Sequence, residues 1–107
     1  MSEIELSDEN FQKEVLASDV PVLVDFWAPW CGPCQMMGSI VAEVADGVDE
    51  KKARVGKLNV DENQVIAQKY GVMSIPTFKV FKSGEVVGEA VGGMTKEKMV
   101  ELLEKHF

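Results

Sequence analysis

Pro21-Val22-Leu23-Val24-Asp25-Phe26-Trp27-Ala28-Pro29-Trp30-Cys31-Gly32-Pro33-Cys34 is the stretch from which the rest of the chain is read. It opens as a continuous apolar run with one acid inside it, the pattern of a central strand buried on both faces. Ala28-Pro29 stops that strand. From residue 32 to about residue 48, Met36, Met37, Ile40, Val41 and Val44 recur at the spacing of an amphipathic helix. The two cysteines therefore stand at the entrance of a helix that follows directly on a buried strand.

On either side the chain continues this alternation. Ile4 and Leu6 read as a short edge strand, and Ser7-Asp8-Glu9 offers a capping oxygen and acids to a helix carrying Phe11, Val15 and Leu16. Residues 53–60 read as another strand. Asp61-Glu62-Asn63 then caps a short helix through Val65, Ile66 and Tyr70, which Gly71 ends. Thr77-Phe78-Lys79-Val80-Phe81 alternates and meets Glu85-Val86-Val87 across Ser83-Gly84, a two-residue hairpin connection. Thr95 caps a last helix with Met99, Val100, Leu102 and Leu103 facing inward. The predicted order is βαβαβαββα. Crossovers of this length predict parallel pairing and the hairpin adds an antiparallel edge, so the expected fold is α/β, a central mixed sheet flanked by helices on both faces. No linker or repeat interrupts it, and one domain over residues 1–107 is expected.

Composition narrows the function. With 107 residues, 46% hydrophobic and 27% charged, the chain has ordinary globular composition and enough length for its own core. No run approaches the roughly 18 apolar residues of a membrane span. The net charge of -7 opposes nucleic acid and anionic lipid alike, so neither is expected as a partner. Met1-Ser2-Glu3-Ile4-Glu5-Leu6 has neither a basic start nor an apolar core, so no secretory signal is read and a cytoplasmic setting is expected.

In such a setting a permanent structural bridge is not expected, which leaves metal binding or redox catalysis for two thiols placed as Cys31-Gly32-Pro33-Cys34. A structural zinc site wants about four Cys or His ligands. This chain has two cysteines and one histidine, His106, so no metal is expected. A thiol attacks as thiolate, and the N–H groups and dipole at a helix N-terminus stabilise that anion where Cys31 sits. Cys34, three residues on, shares its face and can close onto it. Pro33 is tolerated because the first turn has no intrahelical use for its N–H. Cys31 is expected to be the more exposed and more acidic thiol, with Cys34 turned inward. Two ordinary buried thiols are the plainer alternative, and the strand-to-helix position weighs against it. Asp25, a carboxylate inside an apolar strand, is expected to be desolvated with a raised pKa, as suits a proton acceptor.

Trp30-Cys31-Gly32-Pro33-Cys34 with Ile75-Pro76-Thr77 resembles the thioredoxin family. The resemblance runs over nearly the whole chain, through Asp25-Phe26-Trp27-Ala28, Lys57-Leu58-Asn59-Val60-Asp61, Tyr70-Gly71-Val72 and Val91-Gly92. It implies a thioredoxin-like three-layer fold and a general protein-disulfide reductase. In that scheme Cys31 attacks a target disulfide, Cys34 resolves the mixed disulfide, and Asp25 takes the Cys34 proton with Lys57 close by. An acid paired with Lys57 for structure alone is the other reading of Asp25. The resemblance further implies a cis Ile75-Pro76 bond lying against Cys31, and a flat docking surface of Trp30, Gly32, Pro33, Ile75, Pro76 and Gly92, with Trp27 packed beneath it. No bound cofactor is implied. Electrons would come from NADPH through a thioredoxin reductase, and the partners would be that reductase and diverse disulfide-containing proteins, met by a monomer. Two positions depart from the family pattern: Gln35, where a basic residue is common, and Ser39, where a helix proline is common. The first weakens thiolate stabilisation slightly and the second leaves the helix straighter.

Two other functions fit the same sulfurs. An oxidant or isomerase of this fold would run the exchange in the opposite direction, but Gly32-Pro33 supplies no side-chain donor to stabilise a thiolate. A non-enzymatic binding subunit would use the flat surface as a clamp and would not need the thiols.

Overall fold

The elements of the computed structural model, which describes residues 3–107, follow from where the apolar runs can be buried. Five strands, β1 (Ile4–Leu6), β2 (Val22–Trp27), β3 (Arg54–Asn59), β4 (Thr77–Lys82) and β5 (Glu85–Val91), form one sheet in the order β1-β3-β2-β4-β5. Three α-helices accompany them, α1 (Gly32–Gly47), α2 (Gln64–Lys69) and α3 (Lys96–Glu104). The apolar run of β2 is the middle strand. It lies parallel to β3 with Asp25 opposite Lys57, and antiparallel to β4 with Asp25 opposite Phe78.

Alternation along β2 supplies two cores. Val22, Val24 and Phe26 point to one face and pack with Leu6, Phe11, Val15, Leu58, Ile66 and Phe81. Leu23 points to the other and packs with Met37, Val41 and Val44 of α1 and Met99 and Leu103 of α3. The layers are thus helix, sheet, helix, as expected. At the sheet edge β1 runs parallel to β3, and Gly56 makes room for it: a Cβ there would stand 2.6 Å from Leu6 Cδ1.

The structure corrects the sequence reading in three places. The connection through α2 does not return the chain parallel: β4 is antiparallel to β2. Six residues of helix rise only about 9 Å, less than half the length of a six-residue strand at about 20 Å, so α2 cannot carry the chain back along the sheet. The chain re-enters at the end where it left, with Thr77 opposite Phe26. The first helix is a single π-helical turn, Gln12–Leu16, closed by the Ala17 N–H on the Gln12 carbonyl at 2.9 Å. Arg54 satisfies a free carbonyl at the C-terminal end of this turn, its Nη1 donating to the Glu14 carbonyl at 3.1 Å. Finally, α2 is not capped by its own preceding residues. Asp8, far away in sequence, accepts from the Ile66 N–H at 2.9 Å and the Val65 N–H at 3.3 Å.

The hairpin and last helix form as read. Ser83 and Gly84 both have positive φ, 53° and 81°, as a two-residue turn between twisted strands requires. Thr95 Oγ1 accepts from the Lys98 N–H at 3.2 Å.

Candidate functional site

Strand β2 ends at Trp27, and Ala28-Pro29-Trp30 turns the chain into α1 with Cys31 as the residue before its first turn. Cys31 is extended (φ -86°, ψ 111°), which points its Sγ at the open N–H groups of the helix. It accepts from the Cys34 N–H at 3.2 Å. A disulfide joins Cys31 and Cys34 across a Cα–Cα distance of 5.2 Å. Pro33 lies inside the first turn, where its missing N–H costs nothing. The pair can thus open and close within one rigid turn.

With the bridge closed the expected difference in exposure is absent: Cys31 is 4% exposed and Cys34 5%. Ala28, Trp27, Val60 and Ile75 close around both residues. What distinguishes the sulfurs is their surroundings. Cys31 Sγ lies 3.8 Å from the Ile75 carbonyl oxygen, on the outer rim, whereas Cys34 lines a cavity toward Asp25.

The rim gathers the residues expected there. The Ile75-Pro76 bond is cis and Pro76 is buried, and its carbonyl accepts from the Gly92 N–H at 2.8 Å. Gly92 has φ 92°, which other residues rarely adopt. Gly32 and Pro33 are exposed, and Trp30 is 70% exposed. The Trp30 Nε1–H donates to Asp61 Oδ2 at 2.8 Å, so its ring is held in place while its face stays open. Gln35 Nε2 donates to the Pro29 carbonyl at 2.5 Å and bridges the turn before the helix. With Ser39 in place of a proline, α1 runs unbroken.

Beneath the disulfide a cavity of about 280 Å³ is lined by Cys34, Asp25, Trp27, Lys57 and Glu3, among others. Asp25 is 5% exposed, and its Oδ1 has no hydrogen-bond partner. Burial pushes its carboxyl up to about 7, the nearby Glu3 charge pushes the same way, and Lys57 opposes them. Lys57 does not pair with Asp25 although it stands opposite in the sheet. Its Nζ reaches Glu3 Oε1 at 3.8 Å and lies 5.2 Å from the Trp27 ring centroid. The structural Asp25-Lys57 ion pair is therefore not made. A roomier groove of about 370 Å³ lies between α1 and α3, near Val44, Val100 and Phe107, and holds neither thiol.

Glu3 and Asp61 belong to this site and were missed in the sequence. Asp61 ends the stretch that follows β3, but nothing in its neighbours points to Trp30. Glu3 alternates with Ile4 toward the Asp25 face, and seeing that requires knowing that β1 lies beside β3. Among the described residues, no three or more His, Cys, Asp or Glu side chains are grouped to hold a metal ion, and no helix is long and apolar enough to cross a membrane.

Comparison with known proteins agrees with this geometry. The family model described as Thioredoxin matches residues 2–105. "Thioredoxin 1" of Nostoc sp. is 51% identical over 103 residues, 96% of this chain and 95% of the relative. "Thioredoxin" of Chlorobaculum thiosulfatiphilum is 50% identical over 103 residues, 96% and 94% of the two chains. "Thioredoxin" of Pyropia yezoensis is 44% identical over 107 residues, 100% and 99% of them.

Proposed function

Because this chain belongs to the thioredoxin family and is a protein-disulfide reductase, we propose that it cycles between dithiol and disulfide with Cys31 attacking and Cys34 resolving. The observation that carries this assignment is the Cys31-Cys34 disulfide at the first turn of α1, with an uncompensated carboxyl, Asp25, on the cavity below Cys34.

The cycle proceeds in two exchanges. The Cys31 thiolate attacks one sulfur of a target disulfide, forming a Cys31–target disulfide and expelling the other target sulfur as a thiolate, which takes a proton from solvent. Cys31 suits this step because the Cys34 N–H already points at its sulfur. Asp25 then accepts the Cys34 proton, and the Cys34 thiolate attacks Cys31 Sγ. The second target thiolate leaves, the target has gained two electrons, and the Cys31-Cys34 bridge holds the oxidation. Asp25 suits the acceptor role because a carboxyl titrating near neutrality exchanges protons readily at cellular pH. Lys57, beside it, moderates the charge that develops.

Trp30, Gly32, Pro33, Ile75, Pro76 and Gly92 form the docking surface. It is small and apolar, and the backbone beside Pro76 pairs with an extended target segment without reading its sequence. A thioredoxin reductase returns the electrons from NADPH, the domain itself binding no cofactor. The protein works as a monomer in the cytoplasm, as one domain over residues 1–107.

Reconstitution tests this reading. NADPH, a flavoprotein thioredoxin reductase and a disulfide-containing protein such as insulin should together give NADPH oxidation that depends on this chain, and Cys31→Ser should reduce it to background. Undiminished turnover by Cys31→Ser would refute the assignment.

A further inference from the structure

The cavity under Cys34 contains more charge than the proposed exchange requires. Three of the residues that line it each carry a buried polar atom without a hydrogen-bond partner: Asp25 Oδ1, Trp27 Nε1 and Glu3 Oε2. Such atoms are costly, and their concentration in one place marks an electrostatically sensitive region. Two of the three atoms belong to carboxyl groups, and one cation, Lys57, lines the same cavity. Register alone would pair that cation with Asp25, which lies directly opposite on the neighbouring strand. Its ammonium instead reaches Glu3 Oε1 at 3.8 Å.

We propose that Glu3 is a positioning residue for the resolving step: it draws the Lys57 ammonium away from Asp25 and adds a second negative charge across the cavity, and so decides when Asp25 can take the Cys34 proton. The proposal rests on the reading of Asp25 as that proton's acceptor. Glu3 acts through Lys57 and Asp25 and touches neither sulfur. Its side chain is well placed for this, being largely covered at 16% exposure, so its charge is poorly screened.

The electrostatic surroundings agree with that role. The charged groups facing Asp25 are Glu3 from the start of the chain and Lys57 from β3; those facing Glu3 are Lys57, Asp46 of α1 and Glu5 of β1. Acids thus outnumber the single cation. Burial and the two neighbouring acids push the Glu3 carboxyl up from its usual range, and Lys57 holds it down. With Lys57 shared in this way, Asp25 keeps a proton to higher pH than an Asp25-Lys57 pair would.

Two readouts on the full chain separate this proposal from its premise. The first is the titration of the Asp25 carboxyl carbon by NMR in the oxidised protein. The second is the pH profile of release of a chromophoric thiolate from its mixed disulfide with Cys31, which reports attack by Cys34. Glu3→Gln should lower the Asp25 midpoint by about one pH unit, as expected when a like charge is removed and an opposite one freed. The release profile should shift the same way. Glu3→Asp should restore most of both, and Lys57→Met should raise the Asp25 midpoint. An Asp25 midpoint unmoved by Glu3→Gln would overturn the role of Glu3, even with release still slowed by Asp25→Asn. A moved midpoint with an unmoved release profile, and no slowing in Asp25→Asn, would instead overturn the premise that Asp25 is the acceptor, and the proposal with it.

Discussion

The two faces of strand β2 are made by alternate residues of one short segment, yet they are packed to opposite ends. On one face Val22, Val24 and Phe26 are fully buried among apolar neighbours, and Phe11, Tyr70 and Phe81 meet edge-on or tilted at centroid distances of 5.0 to 5.7 Å. On the other, Leu23 enters an equally apolar core, but Asp25 and Trp27 open onto a cavity with unpartnered polar atoms. The difference teaches where reactivity comes from. On the proposed reading of Asp25, an apolar core can hold the disulfide turn in place but cannot move a proton, whereas a buried acid can. One face therefore stabilises the frame, and the other accepts a loss of stability to keep Asp25 beneath Cys34.

This contrast can be broken most severely on the packed face. Phe26→Ala removes a ring with no exposure, and should cost about 3–5 kcal/mol in denaturant unfolding. Because the ring points away from the cavity, the pH profile of the remaining activity should be unchanged. A shifted profile would show that the two faces are not independent.

Asp25→Asn sharpens the contrast from the other side. An unfolded aspartate titrates near about 3.9, and the folded carboxyl near about 7. Between those values the folded protein holds a proton that the unfolded chain has released, so this group lowers stability progressively as pH rises through that window and no further above it. The gap corresponds to on the order of 4 kcal/mol. Asp25→Asn should therefore match the parent near pH 4 and exceed it increasingly up to about pH 7, as read from unfolding at several pH values. A difference independent of pH would mean that Asp25 is not held protonated by burial.

A smaller effect is expected where the packed face is stapled at its rim. Asp8→Ala removes the acceptor for the Val65 and Ile66 N–H groups and should cost about 1 kcal/mol, without altering the Asp25 titration.

Much of this was legible in the sequence, for physical reasons that differ by element. The cysteine turn could be read because a buried strand followed directly by an amphipathic helix leaves only one place for Cys31 and Cys34. Asp25 could be read because one acid in an apolar run has to be desolvated. The hairpin at Ser83-Gly84 is a local matter of backbone conformation. The direction of β4 was not legible, because it depends on α2 being too short to span the sheet. Asp8 and Glu3 were missed for a related reason: each acts on a segment far along the chain, and only the parallel pairing of β1 with β3 brings Glu3 to Lys57. The equal burial of the two cysteines reflects the closed bridge, which draws both sulfurs under Trp27, Val60 and Ile75.

The division of labour between the sulfurs is tested most directly by trapping. Cys34→Ser, reduced and mixed with a disulfide-containing protein, should accumulate a mixed disulfide whose linkage, mapped by mass spectrometry, runs through Cys31, and Cys31→Ser should accumulate little. Equal or faster trapping through Cys34 in Cys31→Ser would contradict the account.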